Sequence, residues 1–391
     1  MVTSIAQSWV PRTALGGLHL PVLSWALRYR KGSSGRDLRL DFLRGWCLFS
    51  MVVDHAAANH QTFLFKVTGN GGYPMTGAHG FVFLSGIVFA LVYGKIIATE
   101  GWSKALPKAL RRALTLYLVA IVLGLVDALF SLTPWGGGAS LMEAMNVSTL
   151  LKTFTLHGAN DSLMTLYFLF ILAAPLALYA MQKGKTWLVA ATSLTLWIGH
   201  LVLPQHFGNP FDIFVPAAEW QVFFVIGLVI GYHRQALGRW LQGEKRRAYL
   251  AILFTLFSGL AVLQLAVTMG WTPSLVPSTS LEWLAGQVYT EYEHNPPLHV
   301  LAIMVAFLGL YHLVDWFWAP LQAAFGWFLI PIGGAALYVY IVHQVLVYYV
   351  LLHIPYFTEL DGVPLGLILL ALMLCLWLMV KRRFLFRVVP R

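Results

Sequence analysis

Apolar residues fall along this chain in ten long blocks divided by short polar stretches. The blocks cover roughly 41–59, 80–98, 113–131, 162–181, 187–204, 218–233, 248–270, 299–318, 331–352 and 364–380. A helix of about 17–25 residues crosses the hydrocarbon core of a bilayer. The pattern therefore predicts an all-α, polytopic integral membrane protein with about ten transmembrane helices. The ninth block has an ill-defined start, where Pro331, Gly333 and Gly334 interrupt it.

Composition agrees with the pattern. Of the 391 residues 59% are hydrophobic and 11% charged, and the mean hydropathy is +0.71. Soluble domains carry about 25% charged residues. The net charge of +10 would suit nucleic acid, but the charges lie between the apolar blocks, so the partner they imply is the lipid bilayer and not nucleic acid. Lys104, Lys108, Arg111 and Arg112 follow block two, and Lys183 and Lys185 follow block four. Arg234, Arg239, Lys245, Arg246 and Arg247 follow block six, and Lys381, Arg382, Arg383, Arg387 and Arg391 end the chain. The alternate loops hold only Lys66 and Lys152. Lysine and arginine mark cytoplasmic loops, and an even number of spans puts both termini on one side. Both termini are expected in the cytoplasm.

Three stretches follow: a basic segment 1–39, a membrane domain 40–381 and a basic tail 382–391. No cleavable signal peptide is readable in the first stretch. Around Trp25 and Leu27 it reads either as a short helix on the membrane surface or as a basic tail. Cys47 and Cys375 fall in apolar blocks, so no disulfide framework is expected. No H-x-x-x-H or C-x-x-C spacing occurs, so no metal site is expected.

The first block is unusual. LDFLRGWCLFSMVVDH carries Asp41, Arg44, Asp54 and His55, and ionisable side chains within a span are costly and mark functional paths. Arg44 and His55 are eleven positions apart, which on a helix is about 20° past three turns with a rise of about 16 Å. The two share a face, and Asp41 is placed to pair with Arg44 at i,i+3. A neutral imidazole can take a proton from a hydroxyl, and a buried arginine can hold an anion. In the alternative, Arg44 reaches back to lipid headgroups and His55 bonds between helices. Asp54 points about 100° away from His55 and is expected to meet another span.

Other stretches carry candidate chemistry. Lys108, Arg111 and Arg112 in KALPKALRRALTLY suit the phosphates of a nucleotide-like donor, or anionic lipid and topology. Ser85 and Gly86 in FVFLSG suit close helix packing. Asp161 opens block four as a helix cap or a sugar contact. Glu219, Trp220 and Gln221, placed at the outer mouth of block six, read as a sugar platform or an interface anchor. His343 lies in the middle of block nine and ranks second to His55. The outer loops add His60, His79, His157, His206, His294 and His353, several acids, and Trp135, Trp271, Trp283 and Tyr289. That mixture suits sugar hydroxyls, or ordinary interfacial anchoring.

LDFLRG with its arginine-to-histidine spacing, FVFLSG, and ALYVYIVHQ near the end resemble signatures of the membrane acyltransferase-3 superfamily. Within it, RLDFLRGWCLFSMVVDH, GFVFLSGIVFALVYG, NDSLMTLYFLFILAAPLAL and EWQVFFVIG are similar to the OpgC family, which succinylates osmoregulated periplasmic glucans. The likeness spans about residues 36–380. It implies ten spans in a bacterial inner membrane, an acyl-CoA donor from the cytoplasm and a glycan acceptor on the far side. It implies no tightly bound cofactor. It makes Arg44 and His55 the essential pair, with His55 as base; Asp41 is grouped with them for its i,i+3 spacing from Arg44. The superfamily's R-x-x-R element reads here as Lys108-x-x-Arg111 with Arg112 adjacent, and lysine lacks the bidentate fork of arginine.

Succinyl is the favoured acyl group. Its second carboxylate should need a cation near the reaction centre, and no further inward lysine or arginine is readable in mid-membrane, so acetyl stays open. Three functions follow: O-acyltransferase, a transporter or flippase of a glycan or small anion, and a non-catalytic partner in glucan synthesis. A homo-oligomer is compatible with each.

Overall fold

In the computed structural model the described residues are 36–57, 60, 62–68, 76–144, 146–156, 162–204, 216–268, 284, 286–288 and 295–390. Among them, helices of eight or more residues are α1 (Leu38–Ala57), α2 (Gly77–Glu100), α3 (Trp102–Phe130), α4 (Val147–Thr155), α5 (Ser162–Gln182) and α6 (Thr186–Val202). The series continues with α7 (Ala217–Trp240), α8 (Gly243–Thr268), α9 (Pro297–Trp316), α10 (Trp327–Gly334), α11 (Ala336–Tyr349) and α12 (Gly362–Lys381). No strand occurs among the described residues. Among the described residues, seven helical segments are long and apolar enough to cross a membrane. They are α2, α3, most of α5 and α8, α9, α11 with the turn after it, and α12. Their many exposed leucines and valines form a surface suited to lipid.

α1 occupies the centre, touching α2, α9, α10, α11 and α12. Glycine permits the closest approaches. A Cβ on Gly45 would overlap the Leu329 carbonyl oxygen, and one on Gly333 would overlap that of Asp41, so α1 and α10 meet backbone to backbone. The broad contact between α2 and α7 has the same basis at Gly86 and Gly227, as small residues allow in membrane bundles. Gly86 thus takes the packing role expected of FVFLSG.

One end of the bundle is basic and cross-tied. Asp37 accepts from Arg39 and from Arg234 Nη2, each closest at 2.7 Å, and Arg39 also pairs with Asp315. These bonds join the starts of α1 and the ends of α7 and α9. Trp102 Nε1 donates to Gln182 Oε1 at 2.7 Å, joining α3 to α5 at the same end.

Local structure departs from the sequence reading in three places. The third block lengthens into a helix beginning at Trp102, because its alanine, leucine, lysine and arginine are good helix formers. The ninth block divides at Ala335, just after Pro331 and the packed Gly333. The expected outer loop 132–161 contains α4, held on the flank of α3 where Tyr117 OH donates to the Phe154 carbonyl at 2.8 Å. The expectation for Trp25 and Leu27 lies outside the described residues.

Candidate active site

A cavity of about 220 Å³ opens between α1, α2, α3, α5 and α11. Arg44 reaches it from α1 and Arg112 from α3. Phe81, Ser85, Val88, Phe89 and Val92 line it from one face of α2, and Met164, Tyr167 and Ile171 from one face of α5. Leu337 and Tyr340 close it from α11. Ser85 Oγ and Tyr167 OH hydrogen-bond to each other at 2.9 Å in this wall. The Arg44 guanidinium lies 5.5 Å from the centre of the Phe81 ring, and its buried Nε has no hydrogen-bond partner. Two guanidiniums and four hydroxyl-bearing side chains, Ser85, Tyr93, Tyr167 and Tyr340, in an otherwise apolar chamber make a site for an anionic or strongly polar ligand.

About 16 Å along α1 from Arg44, His55 meets α11. Its Nδ1 is 3.1 Å from Nε2 of His343. The two ring planes are near parallel, 21° apart, with centroids separated by 5.3 Å. His343 is fully buried, at 0% exposure, with its Nδ1 3.2 Å from the Val339 carbonyl oxygen. Tyr348, also on α11, lies 5.6 Å from His55 between ring centroids. Tyr340 joins the two regions: it lines the cavity, and its ring packs edge-on to His343 at 5.2 Å.

The other expected residues are distributed differently. Asp41 does not pair with Arg44. It takes a two-pronged bond from Arg36, at 2.6 and 2.7 Å, because Arg36 comes back over the first turn while Arg44 turns into the cavity. Of the three cations expected to act together, Arg112 alone lines the cavity. Lys108 is exposed and pairs with Glu100 at 3.1 Å, and Arg111 is exposed on the same helix. Asp54 is half-buried beside His55. Asp161 lies outside the described residues.

Glu219, Trp220 and Gln221 form no open platform at a mouth. Glu219 and Trp220 are interior, at 0% and 1% exposure, and Gln221 is buried. Glu219 Oε2 accepts the Asn295 backbone N–H at 2.6 Å, and its Oε1 is 3.4 Å from His200 Nε2. Gln221 exchanges bonds with Ser193 at 2.7 and 2.8 Å. Trp220 stacks on His79 at 4.3 Å. The turn that begins α7 faces α2, α6 and residue 295, so these polar groups close an interior network. No group of His, Cys, Asp or Glu among the described residues is arranged to hold a metal.

A family model described as OpgC protein matches residues 36–384. The chain belongs to the OpgC family. The match begins at Arg36, the partner of Asp41, and ends beyond α12, so cavity and histidine pair both fall within the OpgC region. No curated protein and no solved structure matches the chain. Within this OpgC chain the sequence reading missed Tyr167 and Tyr340. Both had a signal: each is a hydroxyl in an apolar run, and Tyr340 stands three positions before His343 on the helix face that meets α1.

Proposed function

We propose that this OpgC-family protein is a membrane O-acyltransferase that moves an acyl group from acyl-CoA to a hydroxyl of a periplasmic glucan. The observation that carries the reading is the place of Tyr340, which lines the cavity holding Arg44 and Arg112 and packs its ring against His343 of the His343–His55 pair. The cavity is smaller than the roughly 300–1,000 Å³ of sites that enclose a drug-sized ligand. It suits one section of an extended donor. The phosphate end of the pantetheine arm rests between Arg44 and Arg112, and the arm runs along α1 so that the thioester reaches His55. The basic end of the bundle then faces the cytoplasm, both termini with it, and about ten helices cross the bacterial inner membrane.

His55 takes the proton of the sugar hydroxyl as the oxygen attacks the thioester carbonyl. The C–S bond breaks, the ester C–O bond forms, and the proton held on His55 passes to the departing thiolate to give free CoA. Succinyl is the favoured acyl group and acetyl remains open. Arg44 lies too far along α1 to read the far carboxylate of a succinyl group held at His55. The test is purified protein in nanodiscs with acyl-labelled CoA and periplasmic glucan. Labelled glucan ester with an equal amount of free CoA thiol is expected. Glucan crossing a vesicle membrane while acyl-CoA stays intact would overturn the reading in favour of transport.

A further inference from the structure

We infer that His343 is a positioning residue that holds the His55 imidazole with its proton on Nδ1, leaving Nε2 as the basic atom. The inference rests on the reading of His55 as the base. It follows from two successive contacts. The Val339 carbonyl, one turn before His343 on α11, is 3.2 Å from His343 Nδ1. A carbonyl oxygen only accepts, so that nitrogen carries the hydrogen. A neutral imidazole has one N–H, and a charged one is costly at membrane depth. His343 Nε2 therefore presents a lone pair. The atom facing it at 3.1 Å is His55 Nδ1, which must donate. His55 Nε2 is left unprotonated.

The surroundings keep this arrangement. His343 is fully buried, and the Tyr340 ring stands against it. When His55 Nε2 gains a proton, its Nδ1–H donates more strongly to His343, so the imidazolium is stabilised where it forms. A carboxylate in the same place would do this more strongly, but would leave an unpaired anion in the membrane whenever His55 is neutral. The neutral partner avoids that cost.

The test has two readouts. In ¹⁵N-histidine protein in nanodiscs, with the His55 signals assigned by their loss in His55→Gln, the wild type should show Nδ1 protonated and Nε2 bare. His343→Leu removes the acceptor, so the His55 proton should move toward Nε2. Its kcat should fall on the order of 10–10³-fold, less than the roughly 10⁴-fold seen when a carboxylate partner is lost, with donor KM unchanged. His343→Gln offers an amide oxygen to the same N–H and should recover both tautomer and much of kcat. A wild-type His55 protonated on Nε2, or a folded His343→Leu with normal kcat, would overturn the inference. The wild-type spectrum decides even where the leucine variant does not fold. Normal transfer by His55→Gln would instead overturn the base reading while leaving the tautomer measurement intact.

Discussion

The Tyr340 ring stands edge-on to the His343 ring, 5.2 Å between centroids at 79°, and the same tyrosine lines the cavity entered by Arg44. One side chain thus separates the anion-holding region from the histidine pair. Its hydroxyl accepts from Gln344 Nε2 at 2.8 Å, a bond worth about 1 kcal/mol. Tyr340→Phe keeps the ring and is expected to retain most transfer with a small loss of melting temperature. Tyr340→Ala leaves a void that typically costs about 3–5 kcal/mol and should lose both stability and transfer. Parallel melting and transfer assays check this; a phenylalanine variant as inactive as the alanine one would make the hydroxyl the functional group.

Neighbouring arginines on α3 should behave differently. Arg112 lines the cavity and Arg111 is exposed. A charge-assisted hydrogen bond contributes about 1.5–3 kcal/mol, so Arg112→Ala should raise the donor KM on the order of 10-fold or more. Arg111→Ala should change it little. Steady-state kinetics on the two single variants separate them, and equal effects would mean that charge density rather than placement binds the donor.

The contact between α2 and α7 should tolerate no side chain. Gly86→Ala and Gly227→Ala each drive a methyl against the carbonyl oxygen of the opposing helix. Overpacking of this kind costs about 1–3 kcal/mol. Both variants should melt lower in detergent, whereas Gly94→Ala, which meets open space, should not.

Acid should weaken the clasp at the basic end. Burial pushes the Asp37 carboxyl up, but the Arg39 and Arg234 guanidiniums outweigh it and hold the group below its ordinary value. A carboxylate depressed in the fold adds stability above its unfolded value, and that stability is lost as pH falls through the depressed one. Melting temperature should therefore drop below about pH 4, and by less in Asp37→Asn, which starts lower at neutral pH. Parallel acid limbs in the two proteins would remove Asp37 from the account.

The fold was legible because a bilayer leaves the backbone few choices. Each of the ten apolar blocks is helical over most of its described residues, and seven helical segments among those residues are long and apolar enough to cross a membrane. The shared face of Arg44 and His55 followed from helical spacing alone, and both do meet α11 or the cavity it closes. What sequence could not supply was the partner of each ionisable group. Asp41 looked spaced for Arg44, yet Arg36 had the freer approach from the end of the helix. Glu219, Trp220 and Gln221 looked placed for a mouth, yet residue 295 and α6 fold over them. The pairing of His55 with His343, across 288 positions, is a tertiary fact that neither helix carries by itself.

The central claim is that His55 acts as a base. A positioned base contributes about 10²–10⁴-fold in rate. Glutamine can keep a packing hydrogen bond but cannot take a proton at neutral pH. The decisive measurement is acyl transfer from labelled acyl-CoA to glucan by His55→Gln in nanodiscs, with melting recorded on the same sample. The account predicts a protein that melts like the wild type and has lost about 10²-fold or more of its transfer. Near-normal transfer by that folded variant would contradict it.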